Sequence, residues 1–255
     1  MTYRDFMDKL TQFVMKITPE GMHNRLSLFK AYLFRGYGQD YYATDGIDAI
    51  IQFKLKNTKK IFYVDVGAFH PFCASNTYAM YRRGAKGINI DATPGQMKNF
   101  KIARRKDINL QVAVSDENKS KKFYIFNKQD LNGFSPQKKL VEAKEAILRK
   151  TITIPTKKLS EILDKYLPKK QTIHLLSIDV EGHDLNVLKS NDWNKYKPQL
   201  IVVEQFCESI DEILKTDIYK FLKSKEYDIV GFTGMNVLYE RNSNISKKIL
   251  NKPTF

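Results

Sequence analysis

The sequence predicts an α/β fold: a seven-stranded, mostly parallel sheet whose last strand turns back antiparallel, preceded by helices. Three observations predict it. From Ile61 onward, short apolar runs alternate with segments of helical spacing, as a parallel sheet requires. The stretch Ile61 to Thr77, IFYVDVGAFHPFCASNT, reads as a strand, a glycine turn and the start of a helix. The last two apolar runs are separated only by Thr233-Gly234-Met235, which is a hairpin, so the final strand is antiparallel.

The elements follow in order. Residues 1–57 form a helical extension. Tyr3, Phe6, Met7, Leu10, Val14 and Ile17 recur at helical spacing, and Pro19 ends that run. A second helix is expected over 25–35, with Leu26, Phe29, Tyr32 and Leu33 on one face. These helices pack on the edge of the core or form the face of a homo-oligomer. Gly36 to Asp40 break the pattern, and a third helix turns Ile47, Ile50, Ile51 and Leu55 inward. Residues 58–255 hold the sheet domain, with strands at 61–66, 87–91, 110–114, 173–179, 199–205, 227–232 and 236–240. Lys121 to Phe126 add an extra strand. Residues 127–153 depart from the alternation, with a turn-rich stretch and then a Lys/Glu-rich helix; an excursion there suits a substrate lid. Seven strands closed by an antiparallel hairpin are the plan of the class I methyltransferase fold, a Rossmann-like sheet.

Composition narrows the class. A hydrophobic share of 42% with 16 Phe excludes general disorder. No run of about 18 apolar residues occurs, so no membrane span is expected. The N-terminus lacks an export signal, and Cys73 and Cys207 have no metal-ligand spacing, which reads as reduced thiols in a cytoplasmic protein. The net charge of +15 is mostly lysine spread along the chain, with dense stretches at Lys98 to Lys106 and Lys119 to Lys128. A basic surface favours an anionic partner without naming it.

The strand ends carry the chemistry. In open α/β sheets, ligands bind at the carboxyl ends of the strands. Gly67 allows close backbone approach there. Asp91 ends the next strand, roughly 20 residues on, where a carboxylate accepts hydrogen bonds from ribose hydroxyls. A dinucleotide site wants several glycines around a pyrophosphate, but this loop has one, and Pro71 has no N–H. A nucleoside without a pyrophosphate fits better, and S-adenosylmethionine (SAM) is the common one. The fourth major strand ends in Asp179-Val180-Glu181-Gly182-His183-Asp184, four ionisable groups at one strand tip. Strand order brings His70 to the same rim.

These pieces resemble the FkbM family of SAM-dependent methyltransferases. The matching stretches are FYVDVGAFHPFCASNT, GINIDATP, LQVAVSD, LLSIDVEGHDLNVLKS and PQLIVVEQ, in that order, with YGQDYYA upstream. The resemblance covers about Tyr37 to Gln205. It implies SAM as donor, S-adenosylhomocysteine (SAH) as product and usually a hydroxyl acceptor. Many relatives act in bacterial capsule, lipopolysaccharide or glycolipid biosynthesis, so a nucleotide-linked sugar is the implied partner. By position, Asp65 and Gly67 line the methionine and ribose side of SAM, with Ser75, Asn76 and Thr77 nearby. Asp91 and Ala92 take the ribose, Ser115 and Asp116 approach the adenine, and Gln39 closes over the methionine end. Two departures from the common pattern, Phe69-His70-Pro71 and His183-Asp184, both bring histidine to the pocket.

Methylating a hydroxyl requires alignment and removal of its proton. The candidate base is His70 or His183, oriented by Asp179. The rival is a divalent metal held by Asp179, Glu181 and histidine, for which no tight histidine or cysteine spacing speaks. A nucleic-acid methyltransferase would explain the charge, but the fourth strand ends in IDVEGHD in place of the Asn/Asp-Pro-Pro-Tyr/Phe motif of amino-methylating enzymes. A non-catalytic SAM-fold protein is the other alternative.

Overall fold

The structure is a computed structural model that describes residues 40–136 and 141–242, together with Phe13, Lys16, Ile17 and Pro19. The helices expected over 3–17 and 25–35, the oligomer face they would form and Gln39 lie outside the described residues, apart from Phe13, Lys16 and Ile17, which are helical. Residues 41–255 form one compact unit and residues 1–40 another.

In the larger unit, helix α1 (Ile47–Lys54) precedes β1 (Phe62–Val66). Then come α2 (Tyr78–Arg82), β2 (Lys86–Asp91), α3 (Met97–Ala103) and β3 (Ile108–Gln111). After β4 (Ala113–Val114) and β5 (Ser120–Phe126), a 3₁₀ turn at Gln129–Leu131 leads to β6 (Leu148–Lys157). The remainder is α4 (Leu159–Tyr166), β7 (Leu175–Ile178), α5 (Asp184–Lys189), β8 (Leu200–Glu204), α6 (Ile210–Ile213), α7 (Asp217–Ser224), β9 (Tyr227–Phe232) and β10 (Asn236–Arg241).

The main sheet has the order β3-β2-β1-β7-β8-β10-β9. All neighbours are parallel except β10, which runs antiparallel to both β8 and β9. This is the class I methyltransferase topology. Alternate residues of each strand face opposite layers. Tyr63, Leu175, Leu200, Val202 and Leu238 pack under Ile47 and Ile51 of α1 and Leu55 just after it. Val64, Leu176, Ile178, Ile201 and Val203 face the other way, against Leu159, Ile162 and Leu163 of α4 and Leu222 of α7. Burial on both faces explains why these strands read as continuous apolar runs.

Two local expectations change. The Lys/Glu-rich helix read into 127–153 falls partly on residues 137–140, outside the described ones; Val141 and Glu142 are helical, and from Leu148 the chain forms β6, which pairs antiparallel with β5 from Ser120↔Pro155 to Phe126↔Leu148. Thr151-Ile152-Thr153-Ile154 alternates with period two and is β-branched throughout, a strand signal that the neighbouring lysines obscured. The single strand expected at 110–114 divides at Val112, whose N–H donates to the Asp91 carbonyl at 3.1 Å; β4 then leaves the main sheet to join β6. Among the described residues, no helix is long and apolar enough to cross a membrane.

Candidate active site

A cleft opens at the carboxyl ends of β1, β2 and β7, with a volume of about 650 Å³, mouth included. That falls in the range of small-molecule sites. Its floor depends on Gly67, which has φ +84°. A Cβ placed there would lie 1.6 Å from the Asp179 carbonyl oxygen. The missing side chain thus lets the tips of β1 and β7 pack against each other.

Asp91 ties the loops after β1 and β2 together. One carboxylate oxygen accepts from Phe69 N–H at 3.0 Å, the other from Thr93 N–H at 2.7 Å. Burial raises its pKa, and these backbone bonds oppose the rise. Each oxygen has a further lone pair with which to accept a hydroxyl. Toward β4 the wall turns apolar, with Ile90, Val112, Val114 and Phe123.

The segment after β5 supplies the remaining wall. Gly133 and Tyr124 exchange backbone bonds at 2.9 and 3.2 Å, and the side-chain Oδ1 of Asn132 accepts from Phe126 N–H at 2.8 Å. The Asn132 amide nitrogen is buried and has no hydrogen-bond partner among the described residues. Phe134 packs on Phe123, with centroids 5.6 Å apart, and on His183, at 4.7 Å. Gly133 lies close to Glu181: an added Cβ would come within 3.1 Å of the Glu181 Cβ.

The lining has the chemistry that SAM requires: an apolar wall for a base, a carboxylate in Asp91 able to accept ribose hydroxyls, and further carboxylates, Asp130, Asp179 and Glu181, near the same cleft. Among the described lining residues none is Lys, Arg or His.

At the far end, one carboxylate oxygen each of Asp179, Glu181 and Glu204 lie within 4.8 Å of one another. Asp179 follows β7, and Glu204 ends the adjacent strand β8. Burial and the charge of Asp179 push the Glu181 carboxyl up to about 8. Asp179 and Glu204 hydrogen-bond to each other. Burial, then repulsion from Asp184 and Asp65, pushes Asp179 up to about 7, and burial, then repulsion from Asp179 and Glu181, pushes Glu204 up to about 9. Asp184, whose carboxylate accepts from Val180 N–H at 3.0 Å, is pushed up to about 6 by burial. The triad is also a set of hard oxygen donors of the kind that holds a divalent cation.

Neither histidine lines the cleft. His70 Nδ1 accepts from the N–H groups of Phe72 at 3.2 Å and Cys73 at 3.1 Å, so its neutral tautomer carries the proton on Nε2. His183 Nε2 lies 2.9 Å from Ser115 Oγ, which also receives Lys121 Nζ at 2.8 Å and donates to Asp116 at 3.0 Å. Burial, then the Lys121 charge, lowers the His183 pKa to about 4, so the ring is neutral near pH 7 and only weakly basic.

Of the residues expected from sequence, Gly67, Asp91, Ala92, Asp179 and Glu181 line the cleft. Ser115 and Asp116 sit behind Phe134, in the His183–Lys121 group. Asp65, Ser75 and Thr77 are buried in a network with Arg104, where Thr77 Oγ1 donates to Asp65 at 2.6 Å. Asn76 Nδ2 reaches Ser177 Oγ at 3.2 Å. Sequence reasoning assigned no role to Glu204, Asn132 or Phe134. Glu204 had a signal, an acid ending an apolar strand next to Asp179 in the predicted order. Arg104 lay in a lysine-rich stretch that reads as surface, yet it is fully buried.

Among solved structures, similar chains include an assigned O-methyltransferase from Klebsiella pneumoniae, at 9% identity over 92% of this chain and 97% of that one, with a TM-score of 0.44. Another is precorrin-6y C5,15-methyltransferase from Geobacter metallireducens, at 13% identity over 80% and 93%, with a TM-score of 0.41. A third is the O-methyltransferase from Bacillus cereus in complex with SAH, at 9% identity over 91% and 97%, with a TM-score of 0.36. No curated protein matches the sequence. The methyltransferase FkbM domain matches residues 65–229, well over half of the chain, and the chain therefore belongs to the FkbM methyltransferase family.

Proposed function

We propose that this SAM-dependent methyltransferase methylates a sugar hydroxyl, with the carboxylates at the tips of β7 and β8 as the proton acceptor. When bound, SAM supplies an activated methyl group on a sulfonium sulfur. Asp91 holds the ribose, and the Val112–Val114–Phe123 wall faces the base. With SAM bound, Asp179, Glu181 and Glu204 would orient the acceptor hydroxyl and take its proton as the methyl carbon leaves the sulfur for the oxygen. The products are SAH, a methyl ether and a proton that leaves through the carboxylates to water.

The observation that carries this reading is the clustering of three carboxylates within 4.8 Å, with burial lifting Glu181 to about 8. A base poised near neutrality suits a hydroxyl acceptor. The histidines are less suited, His70 because Nδ1 is already engaged and His183 because it is held weakly basic. For the acceptor itself, family membership and the +15 charge support a nucleotide-linked sugar or glycan precursor of capsule or lipopolysaccharide type. The lysine-bearing surface would receive its diphosphate while the ring enters the cleft. RNA, the other anionic candidate, has no motif in its favour at the strand tips.

The test is a pH–rate profile at saturating SAM, with and without chelator. A carboxylate base predicts a rate that rises with pH through the neutral range, an acidic limb altered in Glu181→Gln, and activity that survives EDTA. Loss of activity in EDTA with recovery on adding Mg²⁺ or Mn²⁺ would assign the triad to a metal instead.

A further inference from the structure

Arg104 follows α3 and lies wholly inside the protein, with no exposed surface. Its Nε donates to the Pro71 carbonyl at 2.8 Å and its Nη2 to Ser75 Oγ at 2.8 Å; Nη1 reaches Thr77 Oγ1 at 2.7 Å and Asn89 Oδ1 at 3.3 Å. The rings of Phe100, Tyr78 and Tyr81 surround it at 5.4 to 5.6 Å. Two relays connect the cation to buried carboxylates. Thr77 Oγ1 in turn donates a hydrogen bond to Asp65 at 2.6 Å, and Asn89 Nδ2 donates to Asp107 at 3.0 Å. A buried cation costs several kcal/mol unless it is matched in this way.

Three of its bonds hold the segment between β1 and α2. That segment contains two non-glycine residues in left-handed conformation, Phe69 at φ 48° and Ala74 at φ 48°. Each is a disfavoured conformation that persists only where its surroundings impose it. Asp91 and Gln96 pin Phe69, one at its N–H and the other at its carbonyl. Arg104 pins Pro71, Ser75 and Thr77.

The cleft runs from the apolar wall by β4, past Asp91 at the end of β2, to Gly67 and Phe69 after β1. SAM bound with its base on the apolar wall and its ribose at Asp91 would have its amino-acid end over the tip of β1 and this segment. We infer that Arg104 is a positioning residue that shapes the loop of residues 69–76 into the seat for the amino-acid end of SAM, without touching the ligand. The inference rests on SAM as cofactor and is independent of the acceptor.

Calorimetry with two ligands tests it without any acceptor. SAH carries the amino-acid group; 5′-methylthioadenosine carries the same nucleoside without it. Lysine keeps the charge but lacks the planar fork that reaches three points at once. Arg104→Lys is expected to weaken SAH by about tenfold or more, on the scale of one lost charge-assisted hydrogen bond, and to leave methylthioadenosine within about twofold. Equal weakening of both ligands, or of neither, overturns the inference. Ser75→Ala and Thr77→Val each remove one anchor and keep Arg104. They should show the same selectivity to a smaller degree, and they decide the matter if Arg104→Lys does not fold. If the wild type bound neither ligand, the cofactor assignment would fall, and this inference with it.

Discussion

Glu181 and Glu204 approach the same point from different strands, and their exchange for glutamine separates chemistry from binding. Glutamine keeps the shape and removes the proton acceptor. Each substitution is expected to lower kcat by about 10²–10⁴-fold while SAM affinity stays nearly constant, because the loss falls on the transition state. His70→Ala and His183→Ala are expected to lower kcat less than about tenfold, with His183→Ala acting mainly on cofactor affinity through Ser115 and Phe134. Steady-state kinetics beside calorimetry reads both. At this scale the sequence showed a good deal. Asp91 was legible because an acid at a strand end, spaced from the glycine turn, has a job that few other residue types can do. Asp179 and Glu181 were legible as a run of acids beside a buried strand. Glu204 carried only a faint signal, a lone acid after Val202-Val203 that meets Asp179 only across the sheet. Arg104 was hidden because composition cannot tell a buried guanidinium from its solvated neighbours.

The β1 and β7 tips behave as one unit. Gly67 is the hinge of that unit, since its φ is positive and its missing Cβ faces the Asp179 carbonyl. Gly67→Ala is therefore expected to cost more than about 3 kcal/mol of stability, combining a clash with backbone and a disfavoured conformation. Urea unfolding with an unchanged m-value would show it; a loss under 1 kcal/mol would mean that the two tips can separate freely. Strands β1, β2, β7 and β8 were readable because both of their faces are buried and their runs are largely apolar, and the β9–β10 hairpin because only Thr233-Gly234-Met235 separates its strands. Strand β6 was not. Its alternation is set by pairing with β5, and most of its residues are solvent-exposed, so no apolar face announces it.

Across the whole molecule, a chain of net charge +15 holds a cleft whose charged lining, among described residues, is entirely acidic. That segregation has a consequence for stability. Glu181 titrates at about 8 when folded and near 4.5 in its ordinary state. The folded state therefore holds the proton more tightly, and the contribution of Glu181 to stability falls as pH rises from about 4.5 to 8. Glu181→Gln is free of this effect. Its Tm relative to wild type is expected to rise across that window and level off above it. A difference that is flat with pH, or that falls, would show that Glu181 is not held protonated.

The account stands or falls on methyl transfer from radiolabelled SAM to a panel of nucleotide-linked sugars, lipid-linked sugars, the corresponding free sugars and RNA, with Glu181→Gln as control. The expected result is label recovered as an alkali-stable methyl ether on a sugar, strongest for the phosphate-bearing acceptors and lost in the variant. Label on RNA or on an amine, or transfer undiminished in Glu181→Gln, would contradict it.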